Sequence, residues 1–380
     1  MSSEFKPAVS YRRTAIEIES PEQLGYSTIA NNLAESSFSD MRLADYHVEA
    51  DVSDLLLPYG DHLGSERLRA LIADDALSPD HVLVTAGAAS ALFIVATALL
   101  GPGEHALVCS PNYATNLETP RAIGAEVEAL ELRFEDGWRL DLERLSSRLR
   151  PETLLVSVTY PHNPTGSMIT HDELEALVEL VERHPRARLL VDETYRELSY
   201  SDPLPMAATL SPRVVAVSSM SKTYGLPGLR VGWLTCRDDR LMETLLAAKE
   251  QIFICGAVLE EELAARVLDR RSEVLALVHA KTQRHLTIVR DWIRDNERFE
   301  WVEPEAGVVC FPRLRPELDL DVDAFYRALL ERHGTYVGPG HWFDQDRRFF
   351  RLGFAWPTEP ELERGLEGLD RAAADASSTT

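Results

Sequence analysis

The sequence predicts an α/β protein, with a large domain built on a mixed, mostly parallel β-sheet covered by helices and a smaller α+β domain towards the C-terminus. Three observations predict this fold. The 380 residues exceed the size at which a single hydrophobic core stops growing. From about residue 80, short apolar runs alternate with helix-like segments, as in parallel sheets covered on both faces. From Leu259 to Asn296, apolar residues recur at helical spacing without proline or glycine.

The predicted sheet is formed by short apolar runs that have strand-like composition. They are Val82–Thr85, Ala106–Cys109, Leu154–Thr159, Arg188–Asp192, Val214–Ser218 and Val231–Thr235. Polar residues follow several of these runs. Because ligands bind beyond the carboxyl ends of the strands in open α/β sheets, the functional site is expected there.

The C-terminal part of the chain predicts the smaller domain. One long helix over Leu259–Asn296 is followed by alternating strand-like and helical segments. These are Val308–Phe311, Val322–His333, a Gly-Pro-Gly turn at 338–340, Phe349–Phe354 and Pro360–Asp370. We therefore predict an N-terminal arm or small-domain segment at 1–45, a large domain at 46–280 that carries the site, a small domain at 281–370 and a disordered tail at 371–380.

The net charge restricts the partners. A formal charge of −23 repels the phosphate backbone of nucleic acids and favours small-molecule ligands. The same acidity is typical of a solvated surface, and the sequence leaves open whether it also reflects a salty habitat.

The remaining composition predicts a cytoplasmic protein without a metal site. Its four cysteines are scattered, which favours buried thiols over disulfides or metal ligands. His162, His171 and His184 lack the spacing of metal ligands. The N-terminus has no signal-peptide pattern, and no stretch of apolar residues is long enough to span a membrane.

Lys222 is the strongest candidate for a reactive residue. The chain has only four lysines, and Lys222 lies in the segment SSMSKTYGLPGLRVGW, which directly follows a predicted strand. An isolated lysine is usually a solvated surface residue. In a partly desolvated pocket, however, its pKa falls and the amine becomes a nucleophile for an aldehyde. Ser219, Ser221 and Arg230 supply hydroxyls and a guanidinium suited to a phosphate.

This segment resembles the lysine signature S-x-S-K-x-[YF]-G-x-x-G-x-R-x-G-W of the class I and II aminotransferases, which have the fold-type I architecture and depend on pyridoxal 5'-phosphate (PLP). The resemblance implies that PLP is the cofactor and that Lys222 holds it as a Schiff base. It also implies that 46–280 is the PLP-binding domain. Matching motifs extend the resemblance over roughly residues 55 to 370.

The resemblance assigns three further residues to the cofactor ring. In VDETY, Asp192 matches the aspartate that pairs with the ring nitrogen, and Tyr195 matches the tyrosine that hydrogen-bonds the phenolic oxygen. In YPHNPTG, Asn163 matches the asparagine that bonds the same oxygen. Taken alone, an aspartate at a strand end is more often a helix cap, and Asn-Pro more often an ordinary turn.

Other matches concern the phosphate, the ring face and a second subunit. Gly87, Ala88 and Ala89 match the small-residue turn that binds the phosphate at a helix N-terminus. Tyr113 matches the aromatic residue that stacks on the ring, although a core aromatic is the alternative. Tyr59 matches the tyrosine that reaches the phosphate of the neighbouring subunit, so the resemblance implies a homodimer.

Two residues are assigned to the substrate. Arg351, in FRLGF, matches the arginine that binds the substrate carboxylate, and a guanidinium suits this role because it pairs bidentately. The segment Ile29–Ser37 departs from the glycine-containing turn of many family members. We place Glu35 there as a hypothetical partner of a basic side chain; simple solvent exposure is the alternative.

The resemblance implies an enzyme of amino-acid metabolism that moves the amino group of an L-amino acid to a 2-oxo acid. YPHNPTG, the segment after Lys222 and Phe311-Pro312-Arg313 also resemble the capreomycidine synthase subgroup of PLP lyases or cyclases, which act on a guanidino amino acid. A non-catalytic PLP-binding relative is a third alternative. The sequence leaves the substrates, the pathway and the choice between transfer and elimination open.

Overall fold

The computed structural model describes residues 9–377, which contain helices of widely differing length and many short strands. The helices are α1 (Ala15–Glu19), α2 (Pro21–Leu24), α3 (Glu66–Ala73), α4 (Gly87–Leu99), α5 (Ala114–Ala122), α6 (Leu142–Arg148), α7 (His171–Glu182), α8 (Asp239–Phe253), α9 (Val258–Leu268), α10 (Arg271–Arg294), α11 (Val322–Glu331) and α12 (Glu359–Ala376). The strands are β1 (Asn31–Asn32), β2 (Val82–Thr85), β3 (His105–Ser110), β4 (Glu126–Glu131), β5 (Thr153–Thr159), β6 (Arg188–Asp192), β7 (Val214–Ser219), β8 (Gly232–Cys236), β9 (Phe299–Glu300), β10 (Val309–Cys310), β11 (Arg313–Leu314), β12 (Thr335–Tyr336), β13 (Gly338–Pro339) and β14 (Phe350–Gly353).

A seven-stranded sheet forms the centre of the large domain. Its order is β2-β8-β7-β6-β5-β3-β4. The strands β7, β6, β5, β3 and β4 pair in parallel, whereas β8 runs antiparallel to both of its neighbours. All six predicted strands are present within a residue or two of their predicted bounds. The predicted α/β class with a mixed, mostly parallel sheet is confirmed.

Successive residues of the central strands face opposite layers of the core. On β7, Val215 and Val217 pack with residues of α4 and α8, whereas Val214 and Ala216 pack with residues of α7. Both layers are buried, which explains the near-continuous apolar sequence of these strands. The carboxyl ends of the parallel strands therefore meet at one edge, between two rigid layers.

The smaller C-terminal part is built from short strands packed on helices. β14 lies between β10 and β13, and both pairings are antiparallel. The strand β1 joins this part from the N-terminal segment, pairing in parallel with β12. The helices α11 and α12 pack against each other. The pairing of β1 with β12 brings the N-terminal segment close to β14, the strand that carries Arg351.

The structure corrects one predicted element and adds a strand that was not predicted. The long helix expected over Leu259–Asn296 is two helices, α9 and α10, separated by Asp269 and Arg270. Asp269 forms an ion pair with Arg67 of α3, which fixes the end of α9 on the large domain. The strand β4 was not predicted, because it is an edge strand whose sequence EVEALE carries charges on its exposed face.

The predicted disordered tail at 371–380 is wrong for residues 371–377. The helix α12 continues to Ala376, with Ala372, Ala373 and Ala376 buried, and Ser377 forms a β-bridge with Leu320. Alanine has the highest helix propensity, and its small side chain packs closely against the core. Residues 378–380 lie outside the described residues. In the described part, no helix is long and apolar enough to cross a membrane.

Candidate active site

A cavity of about 340 Å³ lies at the carboxyl end of the sheet, between the large domain, the C-terminal strands and the N-terminal segment. Of the residues predicted for the site, all except Gly87 and Tyr59 line it. They are Glu35, Ala88, Ala89, Tyr113, Asn163, Asp192, Tyr195, Ser219, Ser221, Lys222, Arg230 and Arg351. Residues more than 300 positions apart thus share one cavity.

Lys222 lies in the turn that follows β7 and is partly buried. Its Nζ donates a hydrogen bond to Ser36 Oγ at 3.1 Å. Burial lowers the pKa of Lys222, and the nearby Arg351 and Arg230 act in the same direction; Glu35 and Glu22 oppose this fall. A lowered pKa increases the neutral fraction of the amine, which is the form that acts as a nucleophile or a base.

Asp192 ends β6 and is buried with only 6% exposure. Its Oδ1 accepts hydrogen bonds from Thr194, from Oγ1 at 2.6 Å and from the backbone N–H at 3.2 Å. Burial raises the pKa of Asp192, whereas the hydrogen bonds from Thr194 and Asn116 and the charge of Lys222 lower it. Within residues 9–377, no cationic side chain forms an ion pair with this carboxylate. A buried carboxylate in this position fits a cationic ligand group such as a protonated pyridine nitrogen.

An anion site is formed where the N-terminus of α4 meets the segment after β7. Gly87 begins α4 with φ of +77°, and a Cβ there would lie 2.6 Å from Arg230 Nη2. Gly232 also lets the two segments lie close together, because a Cβ at 232 would lie 2.6 Å from the backbone N of Ala88. Gly87 thus packs behind the site that Ala88 and Ala89 line. The helix N-terminus, the guanidinium and the hydroxyl of Ser219 together suit a phosphate.

Asn163 and Tyr195 both line the cavity. The Tyr195 hydroxyl donates to the backbone oxygen of Ser36 at 2.6 Å, and Asn163 Oδ1 accepts from Arg351 Nη1 at 3.3 Å. Burial raises the pKa of Tyr195, so its hydroxyl stays protonated. Tyr113 lies at the N-terminus of α5 and lines the same cavity.

Arg351 projects from β14 and is buried with 4% exposure. Its Nη2 donates to the backbone oxygen of Ala34 at 2.7 Å, and its Nε has no hydrogen-bond partner among the described residues. Burial lowers the pKa of Arg351, with Tyr195 and Glu35 opposing. A buried guanidinium that lacks a carboxylate partner and lines a cavity is suited to an anionic ligand group.

The N-terminal segment gives the cavity an acidic lining. Glu17, Glu22 and Glu35 all line it. Glu35 Oε1 accepts a hydrogen bond from the Tyr26 hydroxyl at 3.1 Å. The cavity therefore carries both positive and negative side chains, which fits a ligand with both charges.

Tyr59 does not reach the cavity of its own chain. Its side chain is 84% exposed, and it belongs to a group of exposed apolar residues that we call the apolar patch. The apolar patch consists of Leu56, Leu57, Tyr59, Ile252, Ile254 and Leu259. The two segments that supply these residues contact each other, since Lys249 Nζ donates to the His62 backbone oxygen, and exposed apolar side chains grouped in this way commonly mark an interaction site.

Several residues of the cavity were not predicted from the sequence. Ser36 and Glu22 lie in the segment interpreted as an arm, and Trp342 lies in a turn of the small domain. Their sequence neighbours carry no motif. Thr194 could have been found, since the spacing Asp-x-Thr permits the side chain-to-backbone turn that Asp192 forms. In residues 9–377, no group of three His, Cys, Asp or Glu side chains is arranged to hold a metal.

Comparisons with known proteins identify the family. The model of aminotransferase class I and II matches residues 33–369. The chain is 33% identical to capreomycidine synthase of Streptomyces vinaceus, over 88% of this chain and 86% of that protein. It is 29% identical to the arginine–pyruvate transaminase AruH of Pseudomonas aeruginosa, over 83% of each chain.

A solved structure supports the same assignment. The PLP-dependent cyclase OrfR is 28% identical and superposes with a TM-score of 0.87, over 98% of this chain and 99% of that chain. Similarity over nearly the full length of both chains confirms the predicted fold-type I architecture. The chain belongs to the class I and II family of PLP-dependent aminotransferases.

Proposed function

We propose that the protein binds PLP in this cavity and moves the amino group of an L-amino acid to a 2-oxo acid. The observation that carries the proposal is the joint position of Lys222, Asp192 and the anion site in one cavity. When bound, PLP supplies an aldehyde that condenses with amines and a ring that withdraws electrons from the substrate α-carbon. Asp192 would face the ring nitrogen, whereas Ser219, Ser221 and Arg230 would hold the phosphate together with the N-terminus of α4.

The remaining cofactor contacts would come from other residues that line the cavity. Tyr113 would stack on the ring, and Asn163 and Tyr195 would hydrogen-bond the phenolic oxygen. Each of these side chains already lines the cavity. The Tyr195 hydroxyl is held by the Ser36 backbone oxygen and the Asn163 amide by Arg351, so both groups are fixed before ligand binds.

Lys222 is the acid–base residue of the proposed reaction. Burial lowers the pKa of its amine and so increases the neutral fraction, the form that removes the α-proton of the substrate and returns a proton later. Ser36 orients the amine through its hydroxyl. Arg351 binds the substrate carboxylate and so brings the α-carbon to Lys222.

The acidic side of the cavity favours an amino acid with a basic side chain. Glu35 is partly buried and lies on the segment next to Arg351, whose Nη2 binds the preceding residue, Ala34. The similarity to an arginine–pyruvate transaminase supports the same substrate class. Incubating the PLP-loaded protein with L-arginine and pyruvate, then measuring the 2-oxo acid and alanine formed, tests the proposal. No amino transfer to any 2-oxo acid would contradict it.

Glu35→Gln is expected to reduce selectivity for basic substrates. Removing the charge should lower kcat/KM for L-arginine by about tenfold, since a hydrogen bond between charged groups contributes about 1.5–3 kcal/mol. L-citrulline has nearly the same shape without the charge, so its kcat/KM should stay nearly constant. An unchanged arginine-to-citrulline ratio would remove Glu35 from the site and leave solvent exposure as its explanation.

A second candidate function is PLP-dependent elimination and cyclisation of a guanidino amino acid. It is supported by similarity over most of the chain to capreomycidine synthase and to the cyclase OrfR. The cofactor residues serve both reactions, so only products separate them. Consumption of a β-hydroxylated arginine without a 2-oxo acid product would favour the cyclase. PLP binding without turnover of any amino acid would favour a non-catalytic relative.

We also expect a homodimer in which Tyr59 reaches the phosphate bound by the partner subunit. The apolar patch supplies a surface for the second copy. Sedimentation should therefore give twice the chain mass of 42.6 kDa.

Tyr59→Phe should weaken PLP binding by roughly tenfold without dissociating the dimer, because one hydrogen bond to a charged phosphate is lost. Tyr11→Phe, at another exposed tyrosine, is the control. A monomer, or unchanged PLP affinity in Tyr59→Phe, would contradict this assignment.

A further inference from the structure

The turn after β13 places an indole ring beside Arg351. Trp342 lies in the short 3-10 turn Gly340–Phe343, is 5% exposed and lines the cavity together with Arg351. The guanidinium carbon of Arg351 lies 5.9 Å from the centre of the Trp342 ring. A cation at about this distance over an indole is attracted by its π-electrons. The indole therefore contributes to the position of the guanidinium.

The Gly-Pro-Gly segment at 338–340 makes room for this ring. Gly338 pairs with Arg351 in the antiparallel strands β13 and β14. A Cβ at position 338 would lie 3.0 Å from Cε3 and Cζ3 of Trp342 and 3.4 Å from Cβ of Arg351. Carbon atoms in good contact are about 3.5–4.0 Å apart, so the indole occupies space that a side chain at 338 would need.

Glu19, the last residue of α1, binds the polar edge of the indole. Its Oε2 accepts hydrogen bonds from Trp342 Nε1 and from His341 Nε2, each at 2.8 Å. An ionised carboxylate can only accept, so both ring nitrogens are the donors. The backbone oxygen of Glu19 accepts a third hydrogen bond from the Tyr336 hydroxyl at 2.7 Å. These three bonds join the N-terminal segment to the small domain.

Glu19 holds part of the cavity wall without facing the cavity. Among the described residues, those that line the cavity include its neighbours Glu17, Ser20 and Pro21 but not Glu19 itself. Its carboxylate is therefore not placed to meet a substrate. An indole N–H that is buried without a partner costs free energy, and Glu19 supplies that partner for Trp342.

We propose that Glu19 is a positioning residue for the substrate carboxylate, because it holds Trp342 in the orientation that keeps Arg351 ready for an anionic group. The inference rests on the proposed function, since it concerns the carboxylate of the amino acid that Arg351 would bind. A guanidinium that is already fixed binds a carboxylate without first having to rearrange. Without Glu19, the indole would lose its hydrogen-bond partner and gain freedom beside Arg351.

The test compares two ligands that differ in the carboxylate. δ-Guanidinovalerate is arginine without its amino group, so it carries the carboxylate and does not react with an aldehyde. Agmatine is arginine without its carboxylate. Titration calorimetry of the PLP-loaded protein gives the Kd of each ligand. Glu19→Leu should raise the Kd for δ-guanidinovalerate by about fivefold, less than for a fully buried charged hydrogen bond because Glu19 is half-buried. The Kd for agmatine should stay at its wild-type value.

Trp342→Phe tests whether Glu19 acts through the indole. This substitution keeps an aromatic ring but removes the N–H that Glu19 binds. It should also raise the Kd for δ-guanidinovalerate more than that for agmatine, so it serves even where Glu19→Leu does not fold. Since both substitutions remove the same bond, the double variant should bind δ-guanidinovalerate no more weakly than Trp342→Phe alone. Additive losses in the double variant would overturn the inference.

Glu118→Gln is the matched control. Glu118 forms an ion pair with Arg12 at 2.9 Å, which is another contact of the N-terminal segment but lies outside the cavity lining. Its substitution should leave both Kd values unchanged. Wild-type affinity for δ-guanidinovalerate in Glu19→Leu, or an equal loss of affinity for agmatine, would overturn the inference. A wild type that binds neither ligand would instead contradict the proposed function on which the inference rests.

Discussion

Lys222→Ala is expected to reduce the rate of amino transfer by about 10²–10⁴-fold, the contribution of a well-placed general base. Lys222 is the only lysine that lines the cavity formed by the described residues, and burial lowers its pKa. No other side chain there combines an amine with contact to the reacting centre. The rate should be measured under single-turnover conditions with saturating PLP, so that weaker cofactor binding does not contribute.

Lys281 provides the matched control for this substitution. Burial also lowers its pKa, to about 8, but its Nζ donates to the backbone oxygen of Trp356 outside the cavity. Lys281→Met should therefore retain the wild-type rate. If Lys222→Ala kept most of its activity, or Lys281→Met lost it, the assignment of the base would be wrong.

Asp192→Asn is expected to weaken PLP binding by roughly two to four powers of ten. The substitution keeps the shape of the side chain but leaves a protonated ring nitrogen buried without its counter-charge. Removing one partner of a buried ion pair costs about 3–5 kcal/mol, and each 1.36 kcal/mol corresponds to a factor of ten. The Kd should be measured by titrating the cofactor-free protein at constant ionic strength.

Glu193→Gln separates this effect from a general effect of removing a buried carboxylate. Glu193 follows Asp192 directly, is also buried, and its carboxylate accepts a hydrogen bond from the backbone of Ala207 rather than lining the cavity. Glu193→Gln should therefore leave PLP affinity within a few-fold of wild type. Equal losses in Asp192→Asn and Glu193→Gln would show that Asp192 has no special role.

Much of the fold was predictable, because buried parallel strands have a strong local signal. The runs 188–192 and 214–218 have apolar residues on both faces of the strand. Each run ends at residues of the site. The edge strand 126–131 gave no such signal, since half of its side chains face solvent. No proline or glycine marks the division of the long helix at Asp269 and Arg270, and the ion pair of Asp269 with Arg67 of α3 is a tertiary contact that local periodicity does not contain.

The candidate site was predictable where it forms short motifs and not where it depends on tertiary contacts. Lys222, Asp192 and Asn163 lie in contiguous segments with characteristic spacing. Ser36 reaches Lys222 only because the N-terminal segment folds over the cavity, and the backbone N–H of Phe38 binds the Lys222 carbonyl oxygen at 3.0 Å. Nothing in the sequence around residue 36 encodes that partner.

The central claim is that PLP binds covalently at Lys222. Its most direct test is an absorbance spectrum of the protein loaded with PLP, followed by borohydride reduction and mass analysis of its peptides. A band at roughly 400–430 nm, the region expected for a lysine-bound cofactor, and a reduced PLP adduct on the peptide containing Lys222 are predicted. A protein that shows no band after addition of PLP, or an adduct on Lys249 or Lys281 instead, would contradict the claim.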